Sequence, residues 1–238
     1  LCAPSPEDMI ATIRSRCRHL GLRIPTAAAV ADLLVREGVA TPEVALEAAR
    51  AAQSHIGLAR ALARDPQMRE RRRDIITAPA SVRSVGEAVM AADRLLETAK
   101  AQADAQVSER NAREKAELMR QLGMDEGESA TKASRTMIRQ LEEDQKRRSK
   151  RALTDAIDRA LIDLLAIYRD VLMVQVGGDG ELINTDLADL VHEIAQDSTP
   201  RQTLARVDHI ETARKRLVSN GNPLLVLEDM AISLRPQA

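Results

Sequence analysis

The residues with the most chemical reach stand near the front of the chain, where Ser15-Arg16-Cys17 sits among Arg14, Arg18 and Arg23. A guanidinium is planar, permanently charged and rich in N–H donors, so this cluster suits an interface with a nucleotide or with acidic residues of a neighbour. The plain alternative for Arg16 is a surface salt bridge of small energetic weight. Cys17 and His19 are two residues apart. That spacing points them to different sides of a helix, or to one face of a strand with no orienting acid nearby, which argues against a nucleophilic pair. Cys2, Cys17, His19 and His55 lack a usual zinc spacing, and no metal is expected. Gly177-Gly178-Asp179-Gly180 lacks the spacing and the lysine of a phosphate loop and is read as a turn. His192 and His209 fall inside amphipathic stretches, where packing or surface roles are expected.

These groups must be positioned by helices. The 238 residues are 44% hydrophobic, enough for a sizeable core in one or two domains, yet the chain has no Trp, no Phe and a single Tyr, Tyr168. Alanine and leucine dominate the apolar set, and the ten glycines and nine prolines lie mostly between periodic segments, so the expected fold class is all-α. With 35 basic and 36 acidic residues no global field draws the chain to nucleic acid or an anionic membrane. Two cysteines make no disulfide framework, and no signal-peptide core or long uncharged apolar run is present. The expected setting is cytoplasmic.

Residues 27–38, 42–52 and the stretch from Ser54 to Leu62 predict three short helices, with Thr26 and Thr41 as caps and Pro42 in a first turn. Arg69, Arg71, Arg72 and Arg73, answered by Asp65, Glu70 and Asp74, predict a solvated helix face. Thr77-Ala78-Pro79-Ala80-Ser81 is the expected linker. Val85, Val89, Ala92, Leu96, Ala99 and Ala103 then keep steps of four and three residues on a long helix whose stripe fades after Val107. Gly123 to Ser134 is the expected turn of a helical hairpin. Its return arm is basic at Lys146, Arg147, Arg148, Lys150 and Arg151 before Leu153, Ile157, Leu161, Leu164, Tyr168 and Leu172 restore a core stripe. Helices ending in Leu217 and Leu234 follow, the last opened by Asn222 as cap and Pro223 in the first turn.

Three stretches carry a family resemblance. Leu1-Cys2-Ala3, Pro4-Ser5-Pro6 and Thr12 to Cys17 read as a strand end, a turn and a short helix; with no initiator Met, the strand is expected to belong to a sheet upstream and the chain to be a fragment. This segment resembles the end of the AAA+ base domain in clamp-loader subunits of bacterial DNA polymerase III, of the delta-prime kind. Ser54-His55-Ile56-Gly57-Leu58-Ala59 is similar to the opening of the lid helix, with Gly57 where hydrolysing relatives place a sensor arginine. Ala3 and Pro4 stand where those relatives carry a sensor 1 threonine. Asn220-Gly221-Asn222-Pro223-Leu224-Leu225-Val226-Leu227-Glu228 resembles the motif that opens the last collar helix.

The resemblance implies an AAA+ base-domain end at 1–20, a lid at 21–76, and a helical collar at 82–238 with an inserted hairpin at about 105–150. It implies that Arg16, flanked by Ser15 and Cys17, is an arginine finger given in trans to ATP bound by a neighbouring subunit. The chain itself would hold no cofactor and would not be catalytic, being part of a DNA polymerase holoenzyme. Asn220, Asn222, Pro223, Leu224 and Leu227 would serve the collar interface. Implied partners are a DnaX-type ATPase, the delta subunit and, through the complex, the sliding clamp and primed DNA; no membrane is implied. The implied function is a non-hydrolysing stator. The alternatives are a helical scaffold or nucleic-acid adaptor using the basic hairpin, and an ATP-hydrolysing AAA+ subunit.

Overall fold

A computed structural model describes residue 7, residues 9–123 and residues 132–235. The expected strand end and turn at 1–6, the sensor 1 comparison at Ala3 and Pro4, Cys2, and most of the hairpin turn lie outside the described residues. Within them the chain is all helix, without a strand, as its composition predicts. It divides into two compact units, Leu1–Ala63 and Arg64–Ala238.

In the first unit a single turn, α1 (Ala11–Arg14), precedes α2 (Ala27–Arg36), α3 (Pro42–Ala51) and α4 (Ile56–Arg64). Thr26 caps α2 by accepting from the Ala29 N–H at 3.2 Å. Thr41 takes the cap position of α3, but its side chain makes no cap bond; the Glu43 carboxyl lies below the usual carboxylate range because its own backbone N–H and, second, the Thr41 side chain bond to it. The core is built of small side chains, Ala45, Ala48, Ala49 and Ala59, closed by Val30, Leu34 and Leu62. Alanine at these positions lets helices approach closely at low entropic cost.

The second unit is larger. It starts with α5 (Pro66–Ser81), capped by Asp65, whose carboxylate accepts from the N–H groups of Gln67 at 2.9 Å and Met68 at 3.2 Å. The expected linker at 77–81 is helix. Pro79 sits in the last turn, where the loss of one backbone bond is offset by anchoring on both sides, Ile76 at 1% and Val82 at 4% exposure. α6 (Val85–Gln121) opens with a capping box between Ser84 and Glu87, and α7 (Lys132–Gln175) returns antiparallel to it. At 37 and 44 residues they are ~55 and ~66 Å long at 1.5 Å per residue. The expected glycine turn follows: Gly177 takes a left-handed φ of 66° and the Gly178 N–H returns to the Met173 carbonyl at 2.9 Å. A 3-10 turn (Thr185–Leu187), α8 (Ala188–Gln196), α9 (Pro200–Val218) and α10 (Pro223–Leu234) complete the unit. Its core joins Ile76, Ala92, Leu96, Ile157, Leu161, Leu164, Tyr168, Val191, Ile210, Leu227 and Leu234.

Candidate functional site

The backbone around Ser15-Arg16-Cys17 is a one-turn helix and its exit. The Ser15 N–H reaches the Ala11 carbonyl at 3.0 Å, the Arg16 N–H reaches that of Ile13 at 3.1 Å, and the Ser15 hydroxyl donates to the Thr12 carbonyl at 3.3 Å. Ser15 is therefore the stop of the turn, and Arg16 and Cys17 follow it in the open. Arg14, Arg16, Arg18 and Arg23 are all exposed, and their guanidiniums make no ion pair among the described residues. The surface salt bridge that would be the plain use of Arg16 is not formed. Cys17 is an exposed free thiol. Ile10, Leu20, Leu22 and Ile24 around them are also exposed, Leu22 at 94%. Apolar side chains in this number bury surface in a complete fold or against a partner.

At the opening of α4, Gln53 and Ser54 both take left-handed φ values, 47° and 68°. Two consecutive non-glycine residues in that region hold a strained turn. His55 caps the helix that follows, its Nδ1 accepting from the Leu58 N–H at 3.0 Å, so this ring nitrogen is unprotonated in the cap. Gly57 sits against that imidazole: a Cβ there would lie 3.3 Å from His55 Cε1. Farther along α4, Arg60 grips Glu37 in a forked pair with contacts of 2.8 to 3.0 Å, which fastens the end of α2 to α4.

The Asn220-Gly221-Asn222-Pro223 stretch is the tight turn between α9 and α10, and local chemistry accounts for every residue in it. Asn220 takes the left-handed conformation at φ 62°, which asparagine tolerates better than other side-chain-bearing residues. Gly221 donates to the Arg216 carbonyl at 2.8 Å, and a Cβ at Gly221 would stand 2.8 Å from that oxygen. Asn222 caps α10 by accepting from the Leu224 and Leu225 N–H groups at 3.0 and 3.4 Å, with Pro223 in the first turn. The Asn220 side chain also accepts from Lys150 Nζ at 2.9 Å, tying the turn to α7. Leu227 is wholly buried in this chain's own core and Leu224 is packed against it; the exposed leucine of α10 is Leu225, at 62%. Leu204 and Val218 on α9 are exposed as well.

Two features of the second unit were not legible in the sequence. The first is Arg72, which belongs to the run expected to be solvated. Its side chain is buried, with Nε 2.9 Å from Asp163 Oδ1 and Nη2 2.6 Å from Asn184 Oδ1. Burial pushes the Asp163 carboxyl up, and the Arg72 guanidinium pulls it back only in part. Beside it the fully buried Asp170 accepts from the N–H of Ile183, from the N–H and side-chain amide of Asn184, and from Arg169. This network pins α5 and the segment before α8 to α7, across 91 and 112 residues of sequence. The second is the wiring of the hairpin. Beyond Ala103, Val107 and Ala152 its arms are joined by polar contacts: Gln145 donates to the Asn111 carbonyl, and Arg148 reaches Asn111 and Glu114. Arg148 and Arg110 together hold the Glu114 carboxyl down to about 2. Pairs Arg113–Glu109, Arg120–Glu117 and Arg139–Glu143 lie farther out on the hairpin; of the expected basic stretch Arg148 is paired with Glu114, Lys150 donates to Asn220, and Lys146, Arg147 and Arg151 are exposed.

Among the described residues no group of three or more His, Cys, Asp or Glu side chains could hold a metal ion, and no helix is long and apolar enough to cross a membrane.

Residues 129–235 match the family model described as DNA polymerase III, delta subunit, C terminal. Over 72 residues the chain is 36% identical to DNA polymerase III subunit delta' of Bacillus subtilis (strain 168), a match that covers 30% of this chain and 22% of that protein. The chain thus spans about a fifth of the length of the curated relative it matches. No solved structure matches. The family-model match starts within the hairpin and takes in the α9–α10 turn and α10. The delta-prime resemblance read from the motifs is borne out by these two partial matches, which give what the chain is similar to over those residues.

Proposed function

We propose that the chain is the helical part of a clamp-loader subunit of the delta-prime kind, a non-hydrolysing stator that lends Arg16 to ATP held by a neighbouring DnaX-type ATPase. The observation that carries this reading is the state of Arg16: exposed at the exit of a one-turn helix, with no carboxylate among the described residues engaging it. A guanidinium so placed has all its donors free for the phosphate oxygens on which negative charge shifts in the transition state. Ser15 positions it by ending the turn one residue earlier, and Cys17 lies beside it in the same exposed stretch. Gly57, at the opening of α4, has no side chain to reach a γ-phosphate, which supports a subunit that gives an arginine and completes no ATP site of its own. The collar would meet its neighbours, including the delta subunit, through the exposed apolar residues of the last two helices, Leu204, Val218 and Leu225, while Asn220, Asn222, Pro223, Leu224 and Leu227 shape the turn and helix that present them.

The test is a reconstituted loader carrying Arg16→Ala. DNA-stimulated hydrolysis at the ATP site it serves is expected to fall by roughly 10³ to 10⁵, the usual worth of such a finger, with assembly intact. Unchanged turnover would rule the finger out. The reading as a nucleic-acid adaptor would rest on the exposed Lys146, Arg147 and Arg151 of the hairpin; it requires binding of primed DNA by this chain alone that weakens steeply with salt.

A further inference from the structure

Arg206, on α9, is the buried cation that the fold leaves unanswered. Only 8% of its surface is exposed. Its guanidinium lies 5.7 Å from the centre of the Tyr168 ring, and among the described residues it makes no ion pair and no hydrogen bond. The contrast within the same unit is direct: Arg72, similarly buried, is held by Asp163 and Asn184. Its nitrogens keep contact with solvent, so the donors are held by nothing among the described residues, and an aromatic face is a weaker partner for them than an anion.

The group faces a cavity of 230 Å³. Pro79, Ala80, Ile194 and Leu234 give it an apolar wall, and Tyr168 closes one side. Arg83 stands at the rim with one guanidinium nitrogen spent on the Ala80 carbonyl. Glu193 and Asp197 are exposed at the same rim, and the Ser198 hydroxyl is donated to the Ile194 carbonyl at 2.6 Å.

We propose that this cavity is a binding site for a monocarboxylate on a short aliphatic stem, with Arg206 as its anion partner. The guanidinium fork matches a carboxylate in two parallel hydrogen bonds. The apolar wall seats the stem, and the volume lies below the ~300 Å³ at which drug-sized sites begin, so the ligand is small. The rim carboxylates decide against a phosphate: a dianion would meet Glu193 and Asp197 at the entrance, whereas a single negative charge at the end of a stem passes them to reach Arg206. The same chemistry comes either from a free small acid or from a glutamate side chain of a peptide, and the site does not depend on the clamp-loader reading.

The experiment is calorimetric titration of the full chain at low salt with butyrate and with a blocked Ala-Glu-Ala peptide, each beside its neutral amide (butanamide, Ala-Gln-Ala), and with inorganic phosphate. Saturable binding of either carboxylate, absent for its amide, is expected. Saturation by butyrate alone assigns the site to a free acid, and saturation by the peptide assigns it to a side chain. Arg206→Met should weaken that binding by roughly ten- to a hundredfold, the worth of hydrogen bonds to a charged group. Because Arg206→Met removes a buried contact with Tyr168, Asp197→Asn provides an independent arm: it leaves the fold alone and should tighten carboxylate binding by lifting a like charge from the rim. No saturation with either carboxylate, phosphate binding more tightly than both, or Asp197→Asn and Arg206→Met titrating as wild type would each overturn the proposal.

Discussion

The two motif-bearing ends of the chain use their residues in opposite ways. At the α9–α10 turn every residue of Asn220-Gly221-Asn222-Pro223 has a task inside the molecule: a left-handed backbone, a close approach to a carbonyl, a cap and a first-turn proline. At Ser15-Arg16-Cys17 Ser15 alone has its side chain engaged, and the guanidinium of Arg16 meets no partner among the described residues. A motif wholly explained by its own fold says how an element is built. One that leaves a permanent charge and a set of apolar side chains exposed points outside its own unit, which is where a role in a partner's chemistry has to be sought.

Substitutions that break this contrast should differ in what they damage. Leu227→Ala removes a fully buried side chain from the rear core and is expected to cost about 2–5 kcal/mol in denaturant unfolding; a loss below 1 kcal/mol would mean that Leu227 is not spent inside the chain. The rear unit should also register alkali. Burial pushes the Tyr168 phenol up to about 12, and Arg206 opposes that only in part. The folded state therefore holds the phenol proton after the unfolded chain has lost it, so stability is full below pH 10 and falls as pH rises from 10 towards 12. The loss is about 2–3 kcal/mol, and Tyr168→Phe should abolish that slope while leaving neutral-pH stability close to wild type. Gly221→Ala places a methyl against the Arg216 carbonyl and the Val226 side chain and is expected to cost about 1–3 kcal/mol. At the front, Arg16→Ala should move the unfolding midpoint by no more than ~0.5 kcal/mol, the usual scale for an exposed side chain.

The helices themselves were legible because their apolar stripes repeat at three and four residues, and α6 buries Ala92, Leu96, Ala99, Ala103 and Val107 as that spacing requires. The caps at Thr26 and Asn222 and the glycine turn at Gly177 were legible from local rules. Pro79 misled, since a proline among small residues reads as a break, whereas tertiary anchoring through Ile76 and Val82 carries the helix through it. The pairing of Arg72 with Asp163 was invisible for a different reason. A mixed-sign run looks solvated in any local window, and the carboxylate that buries one of its arginines is supplied 91 residues later. Arg206 escaped notice on the same ground, as its burial depends on Tyr168 and on the ends of α5 and α10. Arg16 was singled out by resemblance, and the geometry adds that its guanidinium is exposed and pairs with no carboxylate among the described residues.

The finger depends on the shape of one side chain as distinct from its charge. In a reconstituted loader, Arg16→Lys keeps the positive charge and removes the planar fork, while Arg14→Lys, Arg18→Lys and Arg23→Lys make the same change at neighbouring exposed positions. Single-turnover ATP hydrolysis on primed DNA should collapse for Arg16→Lys and stay near wild type for the other three, with unfolding midpoints unchanged throughout. Equal, small losses at all four positions would mean that the cluster acts as diffuse charge and would contradict the finger.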